Sequence, residues 1–191
     1  CQVGCCYSSE EGSCYKNTFY GIQSHRCVQM TPTQTCNHAC TFCWRDLNSH
    51  TSISMGDDID DPVDIVNNSI KSQISKLNGF GGNEHTDWQR YLDSKKPLHF
   101  AISLNGEPTI YPKLGELIKE LKQRKISSYV VSNGTFPEHL EKLYDEDAMP
   151  TQLYISVDAS NEELFNKIDQ PLSPDCWQRL IKTLELLPKF R

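Results

Sequence analysis

Alternating apolar strands and amphipathic helices constrain the fold of this chain more than any other feature. Three short apolar segments, LHFAISL, SSYVVSN and TQLYISVDA, predict buried strands, and the segments KLGELIKELKQRK and PEHLEKLYDED between them predict helices. Near-continuous apolar strands joined by helices are typical of a parallel sheet, because the crossover helices cover its faces. The sequence therefore predicts an α/β fold with right-handed connections and a ligand site at the carboxyl ends of the strands.

The region before these segments continues the same pattern. RCVQMT predicts a further strand, and DDPVDIVNNSIKSQISKL predicts a helix with Asp61 as its N-cap and Pro62 at its first position. The polar, glycine-punctuated segment NGFGGNEHTDWQRYLDSKKP predicts a surface loop. At the other end of the chain, SPDCWQRLIKTLELLPKF predicts a final helix.

Composition excludes a membrane-spanning protein and argues against a nucleic-acid partner. Among 191 residues with a mean hydropathy of -0.55, no apolar run is long enough to cross a bilayer, and no secretory signal is visible. We therefore expect a soluble, cytoplasmic protein with no membrane partner. The net charge of -6 lacks the basic footprint that phosphate binding normally leaves.

Three of the nine cysteines lie in the segment CNHACTFC at residues 36–43, with spacings of four and three. Nine is an odd count, which disfavours a disulfide framework in a chain without a sign of export. A structural zinc ion needs four ligands, so it would have to borrow His38 or His50. An electron-transfer [4Fe-4S] cluster also takes four cysteines, whereas three thiolates leave one iron open to chelate S-adenosylmethionine. The spacing favours the open cluster, with a zinc-stabilised binding module and an iron-sulfur electron carrier as the alternatives.

Short polar segments follow each of the three later strands. They are NGEP at residues 105–108, SNG at 132–134 and SVD at 156–158. Each segment alone is explained as a turn, and SNEE at residues 160–163 is explained as a helix capping box. Because the carboxyl ends of parallel strands meet at one edge of a sheet, the convergence of these segments favours a binding site.

The Cys-x3-Cys-x2-Cys loop, with the aromatic Phe42 before its last cysteine, resembles the signature of the radical S-adenosylmethionine superfamily. The resemblance implies that Cys36, Cys40 and Cys43 bind a [4Fe-4S] cluster. It also implies that Phe42 stacks near the adenine of S-adenosylmethionine.

The same resemblance assigns the polar segments at the strand ends to S-adenosylmethionine. Gly106, Glu107 and Pro108 stand where the superfamily binds the methionine amino group, and Glu107 is the expected partner of the ammonium. The ribose and carboxylate of the cofactor are assigned to four residues at the later strand ends, namely Ser132, Asn133, Ser156 and Asp158.

Five longer segments resemble one family within this superfamily. GSCYKNTFYGIQSHRC, CTFCWRDL, GEPTIYP, TQLYISVDAS and KIDQPL are similar to the eukaryotic-type tRNA 4-demethylwyosine synthases, and the likeness covers nearly the whole chain. The resemblance implies a (β/α)6 partial barrel of which residues 31–191 form the amino-terminal portion, truncated at the carboxyl side. It also implies a flavodoxin-like FMN domain ahead of this region, and nothing in the chain resembles the phosphate loop of that domain.

Members of this family carry a second [4Fe-4S] cluster on three cysteines set thirteen apart, and Cys1, Cys14 and Cys27 repeat that interval. Residues 1–30 are therefore expected to form an extension that binds the second cluster. Cys5 and Cys6 compete with Cys1 as the first ligand. The remaining cysteine, Cys176, is expected to be a small buried hydrophobe in a helix.

The family resemblance implies a carbon-carbon lyase reaction. An adenosyl radical takes a hydrogen from the N-methyl group of N1-methylguanosine in phenylalanine tRNA, pyruvate donates two carbons, and an electron donor reduces the cluster. Lys16 follows a cluster cysteine in CYK and is the expected catalytic residue, because a lysine amine forms an imine with a keto acid. The alternative for Lys16 is a solvated surface lysine.

The chain departs from the family in its first segment, which carries two glutamates and no basic residue between Cys1 and Cys14. Family members are rich in arginine and lysine there, so this departure weakens tRNA binding through that segment. Asn105 and the SNG segment also depart from the family pattern, but neither removes a ligand. The phosphate contacts are then expected from basic residues that otherwise form a solvated helix face: Lys113, Lys119, Lys122, Arg124 and Lys125.

Overall fold

The computed structural model describes residues 14–190, and its centre is a parallel sheet of four strands. The strands are β1 (Cys27–Met30), β2 (His99–Ile102), β3 (Ser127–Ser132) and β4 (Gln152–Ile155), and they lie side by side in chain order. All four strands end at the same edge of the sheet, and the predicted parallel arrangement is confirmed. β1 lies within residues 1–30, so part of the expected extension belongs to the sheet.

The helices that connect the strands cover one face of the sheet. Helices α3 and α5 pack against each other and against the sheet, and α6 packs against α8. No helix within residues 14–190 is both long and apolar enough to cross a membrane. The helices are α1 (Tyr15–Tyr20), α2 (Leu47–His50), α3 (Pro62–Leu77), α4 (Trp88–Ser94), α5 (Leu114–Gln123), α6 (Pro137–Asp145), α7 (Glu162–Asp169) and α8 (Cys176–Leu186).

Helix α3 begins as its sequence predicts. The carboxylate of Asp61 accepts a hydrogen bond from the backbone N–H of Val63 at 2.9 Å, which satisfies one of the free donors of the first turn. Pro62 occupies the first helical position, where its missing N–H costs nothing. Helix α8 also forms as predicted, and Cys176 at its start is buried with a free thiol.

The two faces of the sheet carry different side chains, because successive residues of a strand point to opposite sides. Val28, Phe100 and Val130 are at most 2% exposed and form the core with α3, α5 and α6. The alternate residues, including Tyr129 and Tyr154, point to the other side, which we call the inner face. Helix α1 lies against this inner face.

Three expectations from the sequence are wrong in detail. The segment expected to be a surface loop contains a 3-10 helix (Asn78–Gly82) and helix α4, because Asp87 caps α4 and Tyr91 packs on Leu77. β4 is only partly buried, since it lies at the edge of the sheet. The cap of α7 is Asn161, whose side chain accepts from Leu164 N–H at 3.0 Å, and not Ser160, the first residue of SNEE.

Candidate active site

A cavity of about 270 Å³ lies where the strands end, and the three cysteines of the loop at residues 36–43 line it. The parallel topology accounts for this, because the segments after β2, β3 and β4 all reach the same edge. Pro108 does not line the cavity but begins a buried 3-10 helix beside it. The structure brings together the other residues predicted for this site: Cys36, Cys40, Phe42, Cys43, Gly106, Glu107, Ser132, Asn133, Ser156 and Asp158.

The cysteine loop is held on one side by the segment that follows α2. The backbone N–H of Cys36 donates to the carbonyl of His50 at 3.0 Å, and the carbonyl of Cys36 accepts from Ser52 N–H at 3.0 Å. These two hydrogen bonds form a short parallel bridge. The first cysteine therefore has a fixed backbone position before any ligand binds.

The motif KIDQPL, at the end of α7, holds the loop on its other side. The backbone N–H groups of Ala39 and Thr41 donate to the carbonyls of Gln170 and Ile168 at 3.1 and 2.9 Å. Gln170 has a φ of 45°, so the chain turns in the left-handed region just after α7. In the sequence this motif contributes only to the family resemblance. Its contacts with the cysteine loop are seen only in the structure.

Arg45 lies buried beneath the loop and ties it together from inside. Its guanidinium donates to the carbonyl of His38, to Thr51 Oγ1 at 3.2 Å and to Cys43 Sγ at 3.7 Å. This places a positive charge near Cys36, where it opposes the rise in the pKa of that thiol that burial causes. The sequence contains Arg45 in CWRDL but carries no local signal for this burial.

A chain of side-chain hydrogen bonds joins the loop to the end of β3. Asn37 Nδ2 donates to Thr135 Oγ1 at 2.9 Å, and Asn133 Nδ2 donates to Asn37 Oδ1 at 2.8 Å. Asn133 Nδ2 also lies 3.8 Å from Cys36 Sγ. Asn133, predicted as a cofactor residue, therefore also positions the first cysteine, and its contact with the cofactor stays a prediction.

Gly106 holds the turn after β2 against the segment that enters the cysteine loop. Its φ is 68°, and a Cβ at this position would lie 2.2 Å from the carbonyl oxygen of Thr33. The next residue, Glu107, donates its backbone N–H to the carbonyl of Thr35 at 2.8 Å. Only glycine allows both the backbone conformation and this close approach.

The carboxylate of Glu107 is fully buried and faces three donors. One oxygen accepts from the backbone N–H and the hydroxyl of Thr109 at 3.1 and 2.6 Å, and the other accepts from Asn133 N–H at 2.7 Å. Burial raises the pKa of Glu107, and these hydrogen bonds oppose that rise. No cationic side chain within residues 14–190 forms an ion pair with it. A ligand ammonium in the cavity would supply the missing positive charge.

The three cysteines suit a metal centre better than they suit nucleophilic catalysis. All three are free thiols, and burial raises the pKa of Cys36 and Cys40, with further increases from Glu107 and Asp169 respectively. Raised pKa values leave thiols unreactive in the free protein, whereas a bound metal cation deprotonates them. Ligand atoms of His38, Cys40 and Asp169 also lie within 4.8 Å of one another.

Several buried polar atoms at the cavity lack a hydrogen-bond partner within residues 14–190. They belong to residues that all line the cavity: His38 Nε2, Arg45 Nε, Asn105 Oδ1 and Asp169 Oδ2. Burying such atoms without a partner is costly, so their common position at the cavity indicates a polar ligand. The cavity thus fits a cofactor that carries both charges and hydrogen-bonding groups.

Lys16 does not line the cavity. It belongs to α1, and its side chain lies between this helix and the inner face. Its side chain is only 6% exposed, so the alternative of a solvated surface lysine is wrong. The Nζ atom lies 4.9 Å from the ring centre of Tyr129 and 5.7 Å from that of Tyr15. Within the part of the chain that the structure describes, no carboxylate forms an ion pair with Lys16.

Two of the cysteines predicted for a second cluster lie near Tyr15, the residue that precedes this lysine. Cys14 directly precedes α1 and Cys27 begins β1. Both thiols are close enough to Tyr15 to affect the pKa of its hydroxyl. Burial makes the largest contribution to the raised pKa of Tyr15, and the two thiols add to it. Cys1, Cys5 and Cys6 lie outside the described residues, so the second cluster stays a prediction.

The basic residues proposed for phosphate contacts lie in and beside α5, on the outer layer of helices. Lys122 pairs with Asp147 at 3.2 Å, and Arg124 pairs with Glu120 at 2.6 Å. Because α5 runs antiparallel to the strands, its carboxyl end lies near the amino edge of the sheet, away from the cysteine loop. Their role in tRNA binding stays a prediction.

Comparison with known proteins places these features in context. A family model described as the Radical SAM superfamily matches residues 30–190. Over 175 residues the chain is 45% identical to "S-adenosyl-L-methionine-dependent tRNA 4-demethylwyosine synthase" of Pyrococcus horikoshii, which covers 91% of this chain and 51% of that protein. A mouse protein of the same description is 40% identical over 176 residues, or 92% of this chain and 24% of its own length.

Two solved structures are also similar to this chain. "Structure of TYW1 with a lysine-pyruvate adduct bound" superposes with a TM-score of 0.82 at 34% identity, over 95% of this chain and 58% of that one. "Crystal structure of archaeal TYW1" superposes with a TM-score of 0.75 at 31% identity, over 96% of this chain and 59% of that one. The chain spans about half the length of the archaeal relatives that it matches.

Proposed function

Because this chain belongs to the Radical SAM superfamily, we propose that it is the radical-generating portion of a tRNA 4-demethylwyosine synthase. The observation that carries the proposal is the arrangement of three free thiols and the buried Glu107 around one cavity at the carboxyl edge of the sheet. The 45% identity to the Pyrococcus synthase supports the choice of this family within the superfamily. The zinc module and the electron carrier are not favoured, because neither uses a cofactor cavity of this kind.

The chain's own residues would hold the cofactors at this cavity. Cys36, Cys40 and Cys43 would bind a [4Fe-4S] cluster as thiolates, and Glu107 would accept the ammonium of S-adenosylmethionine. Phe42, which is 61% exposed at the rim, is available to stack on the adenine. When bound, these cofactors supply an adenosyl radical that can take a hydrogen from a methyl group. Ser132, Asn133, Ser156 and Asp158 are proposed to orient the ribose and carboxylate.

Lys16 is proposed to hold pyruvate as an imine. The amine nitrogen attacks the keto carbon, a carbon-nitrogen double bond forms, and the keto oxygen leaves as water. A buried lysine between aromatic rings, with no carboxylate paired to it, is suited to this chemistry. The lysine-pyruvate adduct named for the similar structure supports the proposal.

The substrate chemistry follows from the family proposal. After the adenosyl radical takes a hydrogen from it, the methyl carbon of N1-methylguanosine in phenylalanine tRNA bonds to the keto carbon of pyruvate, and the bond from the keto carbon to the carboxylate carbon breaks. The carboxylate leaves as carbon dioxide, and the one electron that it gives up would pass to the proposed second cluster. This bond cleavage makes the enzyme a carbon-carbon lyase. The guanine amino group then displaces the Lys16 amine from the two-carbon fragment and closes the third ring.

The remaining parts of the proposal concern groups outside the described site. Cys14 and Cys27 would bind a second [4Fe-4S] cluster together with one of Cys1, Cys5 and Cys6. An FMN domain elsewhere in the full-length protein is a candidate electron donor. The cytoplasmic location stays a prediction.

Anaerobic reconstitution with iron and sulfide tests the proposal directly. Two clusters require about eight irons per chain and a brown protein, and adding S-adenosylmethionine should change the electron paramagnetic resonance spectrum of the reduced protein. A colourless, zinc-containing protein would support the binding module instead, and a spectrum that does not respond to S-adenosylmethionine would support the electron carrier. With the full-length protein, formation of the tricyclic base from pyruvate and N1-methylguanosine tRNA tests the substrates.

A further inference from the structure

The imidazole of His38 is buried at the cavity with a ring nitrogen that has no use in the protein alone. His38 is 2% exposed, and its ring packs edge-on against Phe165 with the ring centres 5.5 Å apart. Its Nε2 atom has no hydrogen-bond partner within residues 14–190, although the residue lines the cavity. Burying such a nitrogen is costly, so the imidazole indicates a polar group on whatever occupies the cavity.

Two of the three loop cysteines already face hydrogen-bond donors. Cys36 Sγ accepts from the backbone N–H of His38 at 3.4 Å, and Asn133 Nδ2 lies 3.8 Å from the same sulfur. Cys43 Sγ accepts from the guanidinium of Arg45 at 3.7 Å. These donors stay in place when the thiols become thiolates, because none of the contacts depends on the proton of a thiol.

Cys40 is the loop cysteine for which the described residues provide no such donor. Its thiol donates to Asp169 Oδ1 at 3.4 Å, so this contact depends on the proton of the thiol. A cluster takes its cysteines as thiolates, and a carboxylate has no proton to give in return. The ligand atoms of His38, Cys40 and Asp169 lie within 4.8 Å of one another, which puts the imidazole within reach of this sulfur.

We propose that His38 donates a hydrogen bond from Nε2 to the Cys40 sulfur of the bound cluster and thereby raises the reduction potential of the cluster. A donor stabilises the reduced cluster more than the oxidised one, because reduction adds negative charge to the sulfurs. Cleavage of S-adenosylmethionine requires one electron on the cluster, so the hydrogen bond would make that electron easier to supply. The inference rests on the proposed function, because it takes the cluster of the three loop cysteines as given.

A redox titration of the reconstituted full-length protein, followed by electron paramagnetic resonance, tests this role. The signal that responds to S-adenosylmethionine identifies the cluster at the cavity. His38→Phe keeps a ring against Phe165 but has no N–H. At a fixed potential its ratio of reduced to oxidised cluster should fall about tenfold, which for one electron is a midpoint about 59 mV more negative. His85→Phe, with its side chain exposed to solvent, should titrate as the parent does.

Two polar variants separate the hydrogen bond from the packing of the ring. His38→Gln places an amide nitrogen near the position of Nε2 and should keep a midpoint close to that of the parent. His38→Asn is one methylene shorter and should fall with His38→Phe. If His38→Phe takes up no cluster, the comparison of glutamine with asparagine decides alone.

The possible failures of this inference and of the proposed function are distinct. If the clusters assemble and no His38 variant shifts the midpoint, the inference is overturned while the cluster at the loop cysteines stands. An equal shift in His38→Gln and His38→Asn would also overturn it, because the effect would then follow from packing. A parent protein that forms no cluster would overturn the proposed function and this inference together.

Discussion

At the carboxyl edge of the sheet the candidate functional side chains lie on loops, whereas near its amino edge they lie on the strands and on one short helix. The loop at residues 36–43 is fixed by backbone hydrogen bonds from two sides and by the buried Arg45. Lys16 is instead held by α1 and by contacts with aromatic rings. The difference indicates that the first site is built to be rigid before its cofactors bind, while the second depends on a few side-chain contacts.

The chemistry expected of the two sites can be separated in the same way. The carboxyl-edge site would generate a radical without the keto acid, and Lys16 would bind the keto acid without a radical. The inner face of the sheet connects them, so a substrate methyl group placed between the two sites could reach both. Each prediction below changes one site and measures both.

The largest expected effect comes from the cysteine loop. Replacing Cys36, Cys40 or Cys43 by alanine should abolish reductive cleavage of S-adenosylmethionine, because two thiolates do not hold an open cluster. The second cluster should still assemble in part. Cyanoborohydride should still trap pyruvate on Lys16, by reducing the imine to a stable secondary amine that peptide mass spectrometry detects. Production of 5'-deoxyadenosine is the measurement.

Cys176→Ala is the matched control for these variants. Cys176 is also buried, but it lies at the start of α8 and does not line the cavity. The Cys176→Ala variant should still cleave S-adenosylmethionine. Continued 5'-deoxyadenosine formation in a variant of the loop would remove that cysteine from the cluster.

Replacing Lys16 should cause an equally complete loss, but of the tricyclic base and not of 5'-deoxyadenosine. In the full-length enzyme, Lys16→Ala should leave cleavage of S-adenosylmethionine intact and stop formation of the tricyclic base. Lys16→Arg should fail as well, because arginine keeps the charge but stays protonated and cannot form an imine. Base formation is measured by nucleoside analysis of N1-methylguanosine tRNA.

The arginine variant separates two roles of the lysine. If Lys16→Arg makes product at close to the parent rate, Lys16 acts only as an anion clamp and the covalent role is wrong. Lys189→Arg, on the far outer surface, is the control for the substitution itself.

The carboxyl-edge site and the Lys16 site also differ in how much of each the sequence alone predicts. The carboxyl-edge site could be predicted because its side chains come directly after strands, and parallel topology brings those positions together. Tyr129 could not be assigned to a site, because an aromatic residue in a strand is consistent with core packing on either face. Only the placement of α1 shows which face has a lysine against it.

The contacts that brace the cysteine loop were also beyond the sequence. Asn37 and Thr135 are 98 positions apart, and Cys40 and Asp169 are 129 apart. No local sequence pattern predicts contacts between residues so far apart in the chain. Helix α4 was missed for a related reason, since its stability depends on the packing of Tyr91 against Leu77 and not on its own polar sequence.

A smaller effect is expected at Glu107. Glu107→Gln removes the negative charge that would face the ligand ammonium, a contact worth about 1.5 to 3 kcal/mol. Binding of S-adenosylmethionine should weaken by about ten- to a hundredfold, without a change in pyruvate trapping. Calorimetric titration of the reconstituted protein measures the affinity.

Glu107 also joins β2 to β3, so a structural effect has to be separated from a loss of charge. The midpoint temperature of thermal unfolding of the cluster-free protein measures the structural effect, because the amide NH2 cannot accept the hydrogen bond that one carboxylate oxygen now accepts. Glu116→Gln, on the surface of α5, should change neither measurement. If Glu107→Gln binds S-adenosylmethionine as tightly as the parent, the glutamate only holds the turn.

The smallest effect is expected at Tyr129, whose ring lies 4.9 Å from Lys16 Nζ. A cation-π contact contributes about 0.5 to 2 kcal/mol. Tyr129→Leu should therefore raise the pyruvate concentration for half-maximal trapping by about two- to thirtyfold. Cleavage of S-adenosylmethionine should not change, because Tyr129 does not line the carboxyl-edge cavity.

Tyr129→Phe distinguishes the ring from the hydroxyl. Phenylalanine keeps the aromatic face that lies against Lys16, so this variant should trap pyruvate as the parent does. A loss in both variants would instead assign the effect to the hydroxyl, and no loss in Tyr129→Leu would mean that α1 alone positions the lysine. In that last case the site near the amino edge would be as independent of single side-chain contacts as the cysteine loop, and the contrast between the two sites would not hold.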